Sequence, residues 1–150
     1  MTFSHLPRKA LSIRQPWLHA IINHGKTIEN RSWPTKIRGR ICLHASLGMK
    51  SAEFDDAMDD IFEILGKSSF EHTVSQQGMR RSAYDDYTRT KGKIIATADL
   101  VECVSRHDSP WFFGSYGFVL ADVQLVEPNI PVVGKLGFFD WRARVKGGVA

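Results

Sequence analysis

The stretch from Ser12 to Trp33, SIRQPWLHAIINHGKTIENRSW, decides how the chain is read, because its periodicity changes part-way along. In the first half, Trp17, Leu18, Ile21 and Ile22 recur at helical spacing between Gln15 and His24. Pro16 stands near a first turn and Gly25 just past the end, the asymmetry of a short helix with one face in the core. The second half, KTIENRSW, reads as extended chain, where alternate side chains share a face. Thr27, Glu29, Arg31 and Trp33 should then point one way and Ile28 the other. A helix packed on a sheet would leave Lys26 at the sheet's mouth, with Glu29, Arg31 and Trp33 following along one edge. Those residue types suit one chemistry. Lysine and arginine hold phosphate, a carboxylate accepts from base amino groups or orients the arginine, and tryptophan stacks a base. The same spacing also suits an intrasheet Glu29–Arg31 ion pair with Trp33 plugging the core.

Working outward, RICLHAS after Gly39 alternates Ile41, Leu43 and Ala45 against Cys42, His44 and Ser46, a half-buried strand pattern. In SAEFDDAMDDIFEILG, Phe54, Ala57, Met58, Ile61, Phe62 and Leu65 follow a helical period with acids between them and Gly66 closing the run. Residues 67–91 are polar and without sustained period, so a long loop or an ill-determined helix is expected there, carrying Arg80, Arg81, Arg89 and Lys91 with Tyr84 and Tyr87. The remainder is rich in β signals: KIIATADLVECV, YGFVLADVQLVE, a PNIP linker and KLGFFDWRARV. The loop SRHDSPWFFGS could frame a pocket or be a turn that buries Trp111 and Phe112. Two early helices and about six strands predict an α+β domain with a curled or closed, mostly antiparallel sheet.

A chain of 150 residues at 43% hydrophobic can bury a core without staples, and one domain over 1–150 is expected. No stretch approaches the roughly 20 apolar residues of a membrane span, and the first twenty residues lack a signal peptide's apolar run, so a cytoplasmic location without membrane contact is expected. Cys42 and Cys103 each sit in an apolar run and are expected as free thiols. The net charge of +4 conceals an asymmetry: Ser51 to Gly66 holds six of the 16 acids and no lysine or arginine. The rest is strongly basic, which suits a polyanionic ligand or a merely soluble basic protein, while the acidic helix over 51–66 could dock a protein partner.

S-x-R-Q-P-W at Ser12 to Trp17, then G-K-T-x-E-x-R at Gly25 to Arg31 and a tryptophan at Trp33, resembles the signature of the ASCH domain family, a branch of the PUA-like β-barrels. The likeness is strongest from Leu11 to Ser46, ends that part on H-A-S, and continues more loosely through GKIIATADLVECV and the segment up to FFDW, with about 47–91 as a variable insertion. It implies a PUA-like barrel with packed helices and a cleft, lined by the G-K-x-x-E-x-R segment, that receives RNA or a modified nucleoside. Lys26, Glu29 and Arg31 would be cleft residues, Arg14 and Trp33 would stand beside them, and Arg80, Arg81, Arg89 and Lys91 would track phosphates. Some relatives are enzymes. One type hydrolyses N4-acetylcytidine with a lysine, a threonine nucleophile and a glutamate. Here Glu29 fills the nucleophile's position, and Thr27 supplies a hydroxyl out of register with it, on the strand face opposite to its neighbours Lys26 and Ile28. Another is associated with ribonuclease activity. For that reaction Lys26 with Ser115 or Tyr116 would stabilise a pentavalent phosphate without a metal.

The six histidines form no H-x-H or H-x-x-x-H pair and no zinc spacing with the cysteines, so neither a metal nor a cofactor is expected. GKLGFF and GSYGF match no mononucleotide-binding loop. His44, beside Ser46, could reach the cleft or be a satisfied core histidine. Phe138, Phe139 and Trp141 are expected to close the barrel rather than stack a ligand.

Overall fold

A computed structural model of the chain describes residues 3–66 and 73–147. In chain order the elements are β1 (Lys9–Ile13), α1 (Trp17–Asn23), β2 (Ile28–Arg31), β3 (Gly39–Ala45), α2 (Ser51–Ile64), α3 (Thr73–Thr90), β4 (Lys93–Val104), β5 (Tyr116–Pro131) and β6 (Phe138–Asp140), ending in a 3-10 turn at Arg142–Arg144. The strands form one sheet in the order β2-β5-β4-β3-β1-β6. All pairings are antiparallel except β1 with β3, so the sheet is mixed. The architecture is a six-stranded half-barrel with three helices, an α+β, PUA-like arrangement.

Its curl has a local cause. The pairing of β4 with β5 slips at three places, between Ile94 and Ala96, Thr97 and Asp99, and Leu100 and Glu102. Each bulge adds twist and bends its strand. The sheet thereby turns its ends, β2 and β6, toward each other without hydrogen-bonding them. Side chains bridge the gap instead: Trp33, just beyond β2, meets Phe118 of β5 and Phe138 of β6 edge-on at 5.3 and 5.9 Å between ring centroids, and Phe118 stacks on Phe138 at 5.8 Å.

Two expectations are corrected and one alternative is decided. RICLHAS is not half-buried: Ile41 through Ala45 are all buried, because Ile41, Leu43 and Ala45 face the barrel core while Cys42 faces a second cluster with Ala10, Ile94 and Trp141. PNIP is no linker, since β5 runs through it to Pro131. Of the loop and the ill-determined helix expected over 67–91, residues 73–90 form the helix; residues 67–72 lie outside the described residues. The period of α3 is faint in the sequence because the helix buries little apolar surface. It meets α1 and the residues just before it through polar groups, with buried Gln15 Nε2 donating to buried Thr90 Oγ1 at 3.4 Å and buried His19 Nδ1 lying 2.9 Å from Asp86 Oδ2. α2 follows its sequence pattern, burying Phe54, Ala57, Met58, Ile61 and Phe62 against Ala20, Ala83 and Trp111. Phe139 and Trp141 are core, and both cysteines are free thiols.

Candidate functional site

Gly25 ends α1 in the left-handed region, φ +68°, where a side chain would be strained. The Lys26 amide bonds back to the Ala20 carbonyl at 3.3 Å, which turns the chain from helix into β2. That turn carries the Lys26 side chain inward. Its ammonium donates to the Ile28 carbonyl and, at 2.9 Å, to Glu29 Oε1, and lies 5.7 Å from the centre of the Trp17 ring. The other Glu29 oxygen takes Arg31 Nη1 at 2.5 Å, and Arg31 Nη2 donates to the Ser12 carbonyl at 2.8 Å. The three groups therefore form one cluster in which the carboxylate is held by a cation on each oxygen. Lys26 and Glu29 are almost fully buried, while the Arg31 side chain is 19% exposed. Burial by itself would raise the Glu29 carboxyl, but the Lys26 ammonium and then the Arg31 guanidinium outweigh it, and the pKa lies below 4.5.

The cluster floors a cleft of about 550 Å³, walled by Trp17, Trp33 and Phe113, with Ser12 and Ser46 on one side and Leu136 at the mouth. Two cations against one carboxylate leave the floor positive, while Asp60 adds a second carboxylate to the lining. Phe113 owes its place to Asn30, whose side chain donates to the Trp111 carbonyl and accepts from the Phe113 amide, both at 2.9 Å. The loop therefore does both things expected of it as alternatives: Trp111 is buried, and Phe113 is half exposed in the cleft. Gly117 completes the fit, because a Cβ there would come within 2.7 Å of Ile28 and 2.9 Å of Phe112.

Of the two readings of His44, the satisfied core histidine holds, and the residue does not itself line the cleft. It is buried behind Ser12, its Nε2 3.0 Å from the Val132 carbonyl and its Nδ1 2.9 Å from Ser12 Oγ, which in turn lies 3.0 Å from Ser46 Oγ. Burial pushes the imidazole pKa down, against the opposing pull of the Val132 and Gly92 carbonyls.

Other residues singled out from the sequence are not brought here. Thr27 precedes β2 and is exposed, and Trp33 lies beyond the strand's end, so only Glu29 and Arg31 of the expected face are strand neighbours. Ser115 is exposed on the loop and Tyr116 pairs with Arg31 in the β-ladder, and neither lines the cleft. Arg14 lines it but is 2.8 Å from Glu53. Arg80 pairs with Asp55 and Asp59 of α2, Arg89 with Asp86, and Lys91 lies over Tyr87, while exposed Arg81 lines the grooves that α3 forms with α1 and with α2. None of these four reaches the cleft. Ser12, Asn30, Ser46, Asp60, Phe113 and Leu136 were not assigned to the site from sequence, although HAS at Ser46 and the aromatic loop at Phe113 lay in segments already marked. Among the described residues, no group of three or more His, Cys, Asp and Glu side chains is placed to hold a metal ion.

Comparison with known families matches the ASCH domain over residues 11–127, which takes in the whole of this cleft apart from Leu136 and Gly137. The chain belongs to the ASCH domain family. The match begins in β1 and ends within β5, so the family's shared part includes α1, the Lys26–Arg31 segment and the loop bearing Phe113. Among curated proteins, human Activating signal cointegrator 1 is 26% identical over 96 residues, which is 64% of this chain and 14% of that protein. The ASCH chain thus corresponds to a small part of that relative. Among the described residues, no helix of this ASCH domain is long and apolar enough to cross a membrane.

Proposed function

We propose that this ASCH domain binds single-stranded RNA, or a nucleotide or modified nucleoside, with the base between the aromatic walls and a phosphate at Arg31. The observation that carries the reading is the convergence of Lys26 and Arg31 on one buried carboxylate at the floor of an open cleft walled by Trp17, Trp33 and Phe113. A net positive floor attracts an anion, and exposed Phe113 offers a face for a base. Trp33 is less free to stack, since its ring is engaged by Phe118 and Phe138.

Binding has more support than hydrolysis. Glu29 is held by two cations and kept ionised, so it is a poor nucleophile or proton acceptor. Thr27, Ser115 and Tyr116 stand outside the cleft. A docking role for the α2 acids has less support as well, since Glu53, Asp55 and Asp59 are engaged by Arg14 and Arg80.

The test is fluorescence anisotropy with a labelled single-stranded RNA across a salt series. Arg31→Lys keeps charge but loses the planar fork, and should weaken binding. Arg31→Ala should also flatten the slope of log affinity against log salt by about 0.7 per lost phosphate contact. Arg80→Ala, remote from the cleft, should change neither, and the RNA should remain intact on long incubation. Equal effects of Arg31→Ala and Arg80→Ala would show that binding is a diffuse surface property and defeat the proposal.

A further inference from the structure

We infer that the serine side of the cleft is an acceptor-only wall whose polarity is set by His44, so that the ligand must turn an N–H donor, the exocyclic amino group of a nucleobase, toward Ser12 and Ser46. The inference rests on the nucleotide-binding reading above and adds the class of base.

The reasoning follows single protons. Ser12 and His44 are register partners on the parallel strands β1 and β3, and the β3–β4 ladder is irregular between Leu43 and His44. The Val132 carbonyl, 3.0 Å from His44 Nε2, can only accept, so Nε2 carries a proton. His44 is 1% exposed, and burial keeps it neutral near pH 7, so Nδ1 holds a lone pair. Ser12 Oγ, 2.9 Å away, must donate its one proton there. Ser46 Oγ, 3.0 Å from Ser12 Oγ, can then only donate to it. Both hydroxyl protons are spent inside the protein, and what the cleft meets is lone pairs.

The ring has no room to turn over. A Cβ built at Gly134 would lie 2.5 Å from His44 Cε1, so bare backbone presses on the imidazole, and Phe139 packs edge-on at 5.6 Å. Nor is the pair arranged to make Ser12 a nucleophile. Its imidazole is oriented by a neutral carbonyl, not a carboxylate, and sits where an imidazolium would be poorly solvated. The donors lie elsewhere in the cleft. Arg31 uses three guanidinium protons on Glu29, Asn30 and Ser12 carbonyl or carboxylate oxygens, which leaves two of its five. An acceptor wall and a donor group together suit a base edge with an amino group next to a ring nitrogen or carbonyl. Cytosine and adenine have that edge. In uracil and hypoxanthine an oxo oxygen replaces the amino group and would face lone pairs.

Two readouts test this. Long-range 15N–1H correlation spectra of the unliganded protein at pH 7 should show His44 as the neutral Nε2–H tautomer; an Nδ1–H tautomer or an imidazolium overturns the inference without any ligand. Anisotropy with octamers of cytidine against uridine, and adenosine against inosine, should show the amino member of each pair bound roughly 5- to 150-fold more tightly, the range for one well-made base contact. Ser12→Ala frees the Ser46 proton to face the ligand, and the preference should shrink to within about twofold. Ser46→Ala, just beyond the strand's end, removes one acceptor and should lower affinity for the amino octamers while raising it for the oxo octamers, so that the preference narrows. Binding without an amino preference, or a preference that survives Ser12→Ala, overturns the inference alone. Failure of every octamer to bind overturns the nucleotide-binding reading and this inference with it.

Discussion

Replacing Lys26 by methionine preserves much of the side chain's length but leaves the Glu29 carboxylate buried with Arg31 as its one cation. The Lys26 and Glu29 side chains are 2% and 6% exposed, so solvent does little to screen the change. Removing one partner of a buried pair costs about 3–5 kcal/mol, and because Arg31 still holds Oε2 the lower end applies here, about 3 kcal/mol. At roughly 2–4 °C per kcal/mol for a chain of this size, the midpoint of thermal unfolding should fall by about 6–12 °C. Lys26→Met with Glu29→Gln removes both charges and should recover most of the loss, because a neutral amide needs no buried counter-ion. The sign with pH also follows. The Glu29 pKa is depressed below 4.5, so its contribution is complete above that value and is lost as pH falls through the folded-state pKa. Without Lys26 the carboxyl pKa rises, protonation becomes easier, and the gap between wild type and Lys26→Met should narrow as pH falls. Urea denaturation at several pH values measures all three quantities. A single-mutant loss under about 1 kcal/mol, or a double mutant no more stable than the single one, would refute the claim that this is a tightly coupled buried pair.

Gly134→Ala should destabilise by about 1–3 kcal/mol, the usual cost of overpacking, and should disturb the His44 resonances, because its Cβ would intrude on the imidazole; an unchanged melting curve and spectrum would contradict the close approach. Asn30→Ala breaks two bonds that hold the Phe113 loop, each worth roughly 0.5–1.5 kcal/mol, and should speed proteolysis within 105–115 and weaken RNA binding in a protein that stays folded. Burial pushes the Cys42 thiol up to about 12, so alkylation at neutral pH should spare Cys42 until the protein is denatured, as read by peptide mass spectrometry; early labelling of Cys42 would argue against its burial.

Two kinds of information met in this chain. The local pattern alone determined the α1 turn, the amphipathic α2, the strand-rich second half and the grouping of Lys26, Glu29 and Arg31, because each depends on residues a few positions apart whose spacing selects helix or strand. Three further facts depended on partners distant in sequence. α3 has no apolar stripe because it faces α1 with Thr90 and Asp86, so hydropathy carried no signal of it. Of the basic residues that read as phosphate ligands, Arg80 is drawn to α2 acids some twenty residues earlier and Arg89 to Asp86 of its own helix. The cleft itself exists because three bulges curl the sheet until Trp33 meets Phe138, which brings Ser12, Ser46 and Phe113 around a cluster already legible at Lys26 to Arg31. Charge and periodicity are written along the chain; which hydroxyl meets which imidazole, and which cation is left for a ligand, is decided only when the sheet closes.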